Sequence, residues 1–207
     1  MTTLWGMFFP QLADKKWVYA HLDSHAEMLP VDGENKLLNP LVQDQWIQQL
    51  TSKLGADHLW GGYLENRNHL LRGHYMKEGE HWHVGLDFWV PAGTPLFAGL
   101  NAELVHSEMD PDYHGGWGGK LIFKVRDDLY YILGHLDKIV TEKRLYQSNE
   151  QVAVIGDYPI NGNFAAHLHL QCCSNLDIAV DGYHAWNENL RTRFPHPISL
   201  SYQHTLE

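Results

Sequence analysis

His81-Trp82-His83-Val84-Gly85-Leu86-Asp87-Phe88-Trp89-Val90 is the stretch whose reading decides the fold. Hydrophobic and polar positions alternate along it. His83, Gly85, Asp87 and Trp89 take one face, and Val84, Leu86, Phe88 and Val90 take the other. An apolar back and a polar front at period two predict a half-buried strand. Pro91-Ala-Gly-Thr-Pro95 reads as the turn that ends it. Further strand-like runs lie at 96–107, 119–126, 129–136, 152–156 and 166–173, with Gly, Asp and Asn at the short breaks between them. Helical periodicity is absent from this region. The expectation is a mainly β core of two packed antiparallel sheets.

Upstream, one helix is clear. Asn39 suits its cap, Pro40 its first turn and Gly55 its end, and Val42, Trp46, Ile47, Leu50 and Leu54 form one apolar face. Residues 1–35 alternate weakly, with turn signals at Pro30 and Asp32-Gly33, and predict a short hairpin or an extended arm. The expected organisation is an N-terminal extension over 1–60 laid against the core, and a β domain over 61–207 with a C-terminal tail.

Composition narrows the function. At 207 residues and 44% hydrophobic content the chain can bury one core. An aromatic share of 12%, with 8 Trp and 10 Tyr, suits β structure and a lined cleft. The formal net charge of -10 and the lack of any Lys/Arg run argue against nucleic acid as a partner, and an acidic surface repels anionic membranes. Cys172 and Cys173 are adjacent and give no disulfide framework. The first twenty residues have no basic segment before a short apolar stretch broken by Pro10, and no apolar run approaches the ~20 residues of a membrane span. A soluble, cytoplasmic protein is expected.

The 15 histidines are the compositional outlier. His83 and Asp87 share a strand face with Gly85 between them. His167 and His169, in Ala165-Ala-His-Leu-His-Leu-Gln171, share another, and His135 ends the run Leu129–Asp137. Imidazole nitrogen and carboxylate oxygen suit Zn²⁺, and a catalytic zinc takes three protein ligands and leaves one position open. A lone H-x-H is a weak signal, and His81 with His83 is a competing one. The joint pattern is harder to produce by chance.

That pattern resembles the lysostaphin/LytM-type zinc metallopeptidases, whose core is the duplicated hybrid motif. The resemblance is carried by His83-Val-Gly-Leu-Asp87, Pro91-Ala-Gly-Thr-Pro95-Leu, Gly115-Gly-Trp-Gly-Gly119, Leu133-Gly-His-Leu136, Val154-Ile-Gly156 and His167-Leu-His169, in family order over about residues 81–173. It implies His83, Asp87 and His169 as ligands of one Zn²⁺ per chain, and His135 and His167 as catalytic histidines that do not bind the metal. His81 then becomes a surface histidine or one behind the ligands. The implied activity is endopeptidase cleavage of glycine- or D-amino-acid-containing peptides. The acidic charge favours soluble peptides or cell-wall fragments over intact wall. Leu133 stands where the family has Tyr, and Ala165-Ala166 and Asn161-Gly-Asn-Phe164 replace its glycine-rich approach, which puts substrate preference rather than metal binding in question.

Two other readings stay open. One is a cupin-like metal-binding barrel with ligands His81, His83 and Asp87, which leaves His135, His167 and His169 without a role. The other is a latent or regulatory module that keeps the fold without turnover. Among remaining polar residues, Arg67 and Arg72 suit a substrate carboxylate or, more commonly, solvent and the acidic surface. Glu78 and Glu80 read as solvated, and His106 and His114 as surface histidines. Trp60, Trp82, Trp89 and Trp117 suit core or rim packing, or substrate stacking.

Overall fold

The computed structural model describes residues 3–28, 39–68, 70, 79–179 and 182–203. The turn signals at Pro30 and Asp32-Gly33 lie outside these residues. So do Arg72 and Glu78.

The chain is mainly β, in two sheets. In order the strands are β1 (Trp17–Tyr19), β2 (His58–Gly61), β3 (Glu65–Asn66), β4 (Trp82–His83), β5 (Leu86–Trp89), β6 (Pro95–Phe97) and β7 (Ala102–Met109). They continue with β8 (Gly119–Arg126), β9 (Leu129–Asp137), β10 (Leu145–Tyr146), β11 (Gln151–Ile155), β12 (His167–Cys173) and β13 (Tyr183–His184). The large sheet runs β1-β2-β5-β12-β9-β8-β7-β10, with β11 joining β9 to β6. The small sheet is β13-β4-β3. All pairings are antiparallel except β1 with β2, which is parallel.

The expected strand over 81–90 is two strands. β4 belongs to the small sheet and β5 to the large one. The chain changes sheets at Val84-Gly85, where Val84 N donates to Gly182 O. The cause is local crowding. A Cβ on Gly85 would lie 2.5 Å from the ring of His169 and 2.9 Å from the carbonyl oxygen of Leu170, so only glycine lets the chain pass. The alternation still holds where it matters: Leu86 and Phe88 are fully buried in the main core with Leu168 and Leu170, while Asp87 and His169 face away.

Helix α2 (Pro40–Lys53) forms as expected. The Asn39 side chain accepts from Leu41 N at 3.0 Å, Pro40 opens the helix and Gly55 follows it with φ +58°. Trp46, Ile47 and Leu50 bury its apolar face against Leu59, Leu70 and Trp89. The first residues are neither hairpin nor arm. α1 (Leu4–Phe8), capped by Thr3, inserts Leu4, Met7 and Phe8 into the main core, and β1 then extends the large sheet beyond β2. In the tail, α3 (Leu190–Arg193) and α4 (Ser199–Gln203) follow β13, and Leu190 and Phe194 pack with Val84, Ile122, Ile132 and Cys173 on the other side of β12. Both cysteines are free and buried. Among the described residues no helix is long and apolar enough to cross a membrane.

Candidate metal centre

β12 lies between β5 and β9, and this register assembles the site. His169 pairs with Asp87 on one side and with Gly134 on the other. His83 arrives from the small sheet. The ligand atoms of His83, Asp87 and His169 come within 4.8 Å of one another, and the three residues are buried. His83 Nε2 is 2.9 Å from His169 Nδ1, and Asp87 Oδ1 is 3.4 Å from the former and 3.2 Å from the latter.

The outer hydrogen bonds show what this cluster fits. His83 Nδ1 donates to Gly62 O at 2.9 Å, which leaves its Nε2 as the lone-pair atom. His169 Nε2 donates to Gln171 Oε1 at 3.1 Å, which leaves its Nδ1 as the lone-pair atom. Two imidazole lone pairs and a carboxylate oxygen therefore converge with no proton assigned between them. Such a set repels itself and suits a cation, with each ligand oriented by a partner behind it. Burial lowers the His83 pKa to about 4, with the nearby Arg67 charge acting in the same direction, so the ring is neutral as a ligand must be.

Behind Asp87 stands Arg67, itself 3% exposed. Its Nη2 lies 2.8 Å from Asp87 Oδ2, an ion pair without hydrogen-bond alignment, and its Nε donates to the buried Glu65 Oε2 at 2.8 Å. Burial alone would raise the Asp87 carboxyl; charge beside it, the Arg67 guanidinium above all, instead holds it well below the usual carboxylate range. Arg67 thus faces neither solvent nor an acidic surface. It is one guanidinium between two buried carboxyl groups, Glu65 and Asp87, an arrangement that a cation at the ligand cluster would complete.

His135 and His167 flank the cluster, ring centroids 4.4 Å apart. His167 Nδ1 donates to Ala165 O at 2.7 Å, and its Nε2 is 3.7 Å from Asp87 Oδ1. His135 Nδ1 donates to Asn161 O at 2.8 Å. In both, Nε2 is the basic nitrogen, and burial lowers both pKa values. His135 has φ +64°, in the left-handed region that histidine rarely adopts. There β9 leaves β12 and pairs with β11 through Leu136 and Asp137. Asn161, fully buried, pins the loop behind it: its Nδ2 donates to Gly156 O and Phe164 O, and its Oδ1 accepts from Asn163 N and Phe164 N.

A narrow cavity of about 80 Å³ opens over these residues, walled by Leu22, Gln43, Trp89, Trp117, Phe164 and Tyr183. Two of the four tryptophans singled out in the sequence therefore line it. Trp60 packs on Phe88, and Trp82 on Trp186. His81 is not among the grouped ligand atoms, and His106 pairs with Glu108 at 3.1 Å instead. Glu65, Gln171, Tyr183, Leu22 and Gln43 carry no local signature and were not legible as site residues.

No protein-family model matches the chain, and no curated protein does. Solved structures do. The catalytic domain of lysostaphin from Staphylococcus simulans matches at 18% identity over 76% of this chain and 97% of that one, TM-score 0.47. A mutant catalytic domain of the prophage-encoded protein EnpA from Enterococcus faecalis matches at 17% identity over 62% and 88%, TM-score 0.47. A zinc-containing peptidase from Vibrio cholerae matches at 24% identity over 44% of this chain, which spans 27% of that protein, TM-score 0.39. The family that the sequence resembles, the lysostaphin/LytM type, is thus also represented among the solved structures it matches, at low identity.

Proposed function

We propose that the chain is a zinc-dependent endopeptidase of the lysostaphin/LytM kind, acting on glycine- or D-amino-acid-containing peptides or cell-wall fragments. The observation that carries this reading is the convergence of His83 Nε2, Asp87 Oδ1 and His169 Nδ1, with lone pairs facing inward and both outer nitrogens committed as donors. Zinc bound by these residues would polarise a substrate carbonyl and acidify a water molecule. The remaining chemistry belongs to the two flanking histidines. His167 Nε2, left as the basic nitrogen by the Nδ1 bond to Ala165 O and kept unprotonated by burial, accepts a proton from the attacking water and returns it to the leaving amine. His135, fixed by Asn161 O, supplies a further polar nitrogen beside it, placed to stabilise charge on the carbonyl oxygen once protonated. In this reading residues 1–60 are an extension of the core that contributes Leu22 and Gln43 to the cleft wall.

The test is metal content and peptide cleavage in wild type and His169→Ala. We expect about one zinc per chain and glycyl-peptide hydrolysis in wild type, and neither in the variant. Metal retained by the variant but lost on His81→Ala would instead establish the cupin-like ligand set. A zinc-loaded protein that cleaves no glycyl or D-alanyl peptide would support the non-turnover module.

A further inference from the structure

We infer that the groove between α2 and the turn joining β5 to β6 is the track for the substrate chain on one side of the scissile bond, and that it takes a residue with a long cationic side chain. This rests on the peptidase reading. The catalytic cavity, about 80 Å³, admits the reacting segment and little more, so a longer peptide must continue outside it. The adjoining groove offers about 670 Å³. The two share Trp89. At their junction stands Gln43, which lines the cavity while its Oε1 accepts from Ala165 N in the groove wall at 3.0 Å. A chain leaving the cavity beside Trp89 therefore meets the groove next.

The lining gives the chemistry. Asp44 and Asp57 stand on the α2 side and Asp157 opposite, all exposed, and no Lys or Arg lines the groove among the described residues. Each carboxylate is oriented by a local bond to one oxygen: Gln48 Nε2 to Asp44 Oδ2, Lys16 N to Asp57 Oδ2, and Tyr158 N to Asp157 Oδ1. His58 adds no cation, since burial lowers its pKa. Ile47, Val90, Pro91 and Ala92 supply apolar lining to the same groove. Carboxylates beside apolar lining fit a side chain with a methylene stem and a charged tip, as in lysine.

The test uses fluorescent pentaglycine peptides extended at either end with two lysines, two norleucines or two glutamates. Binding is read by anisotropy on the metal-free full chain, and cleavage on the zinc-loaded one. We expect lysine to be favoured over norleucine about tenfold at one end only, less at high ionic strength. In Asp44→Asn/Asp57→Asn/Asp157→Asn the preference should fall below about twofold. Asparagine keeps the oxygen that accepts each local bond, and Asp157→Asn alone, expected to lose part of the preference, serves if the triple variant does not fold. Equal binding of the lysine and norleucine peptides, or a lysine preference that survives the substitutions, overturns the inference. Charge-dependent binding without cleavage leaves the groove standing and removes the peptidase reading. Cleavage without charge preference does the reverse, and the absence of both removes both.

Discussion

His83 Nε2 and His169 Nδ1 face each other at 2.9 Å, and each ring's other nitrogen is already a donor, to Gly62 O and Gln171 Oε1. The pair tolerates a cation between the rings far better than it tolerates protons. Burial lowers His83 to about 4 and also lowers His135 and His167 from 6.5. A histidine whose folded pKa is depressed contributes stability that is fully present above its unfolded value and is lost as pH falls toward the folded one. The metal-free protein should therefore hold its Tm from about pH 8 to 6.5 and lose it progressively between 6.5 and 4. Bound zinc should be released in the same window, because protons compete for the ligand nitrogens. Thermal melts in the presence and absence of a chelator check both, and a metal-free Tm that stays flat down to pH 4 would refute the assignment of neutral rings.

Arg67 should be a stability residue before it is anything else. It is the one described cation against two buried carboxylates, Glu65 Oε2 and Asp87 Oδ2, each at 2.8 Å. Removing one partner of a buried ion pair costs about 3–5 kcal/mol, because the remaining charge stays buried and uncompensated. Arg67→Met should cost that much in urea unfolding of the metal-free protein. It should also let the Asp87 carboxyl take up protons at higher pH, since the guanidinium is one of the groups that hold it low. Arg67→Lys should recover only part of the loss, as one ammonium replaces a fork that reaches both acids. A cost below about 1 kcal/mol for Arg67→Met would mean that water enters and screens the acids.

The five histidine and aspartate positions of the candidate site stood out because their signal is local, short motifs on strands whose alternation fixes the face, and the family resemblance joined them into one expected site. Seven-residue β12 and nine-residue β9 sit where the pattern placed them. The same alternation did not show that the chain changes sheets at Gly85, since a strand and two collinear half-strands have one pattern. The short α1, α3 and α4 carry too few turns to show periodicity. Pairings across long separations that no motif of the resemblance carries were not legible. Gln43 meets Ala165 from 122 residues away, and Arg67 meets Asp87 across a change of sheet. Only the fold brings them together.

Gly85 separates the metal site from the rest of the fold in a single substitution. A Cβ there would come within 2.5 Å of His169 Cε1 and Nε2, and the Leu170 carbonyl at 2.9 Å blocks the alternative shift. Gly85→Ala should therefore push the imidazole off its bond to Gln171 and lower zinc affinity by about 10–100-fold, the range for losing an orienting partner. The side chains of Leu86 and Phe88 against Leu168 and Leu170 lie in the core behind it, so the strand framework should persist in circular dichroism, at lower stability because the Leu170 carbonyl must also shift. Zinc titration with a competing chelator reads the loss. Unchanged affinity would place His169 outside the ligand set.

His135 combines the catalytic role proposed for it with an unfavourable backbone. Its φ of +64° costs a non-glycine residue about 1–2 kcal/mol, and glycine adopts it freely. Comparing His135→Ala with His135→Gly isolates that cost, because both variants lose the imidazole and its bond to Asn161 O. The glycine variant should be the more stable of the two by about 1 kcal/mol in urea unfolding, while both keep zinc and both lose about 10²–10⁴-fold in peptide hydrolysis. Equal stabilities would mean that β9 relaxes at this position once the ring is gone. Equal activities of wild type and variants would remove His135 from the mechanism and leave His167 as the one histidine that moves protons. The expected result, a residue whose removal lowers activity while glycine in its place relieves the backbone, is what a strained functional position predicts: the left-handed turn that carries β9 from β12 to β11 is also what sets the His135 ring beside His167 and the ligand cluster.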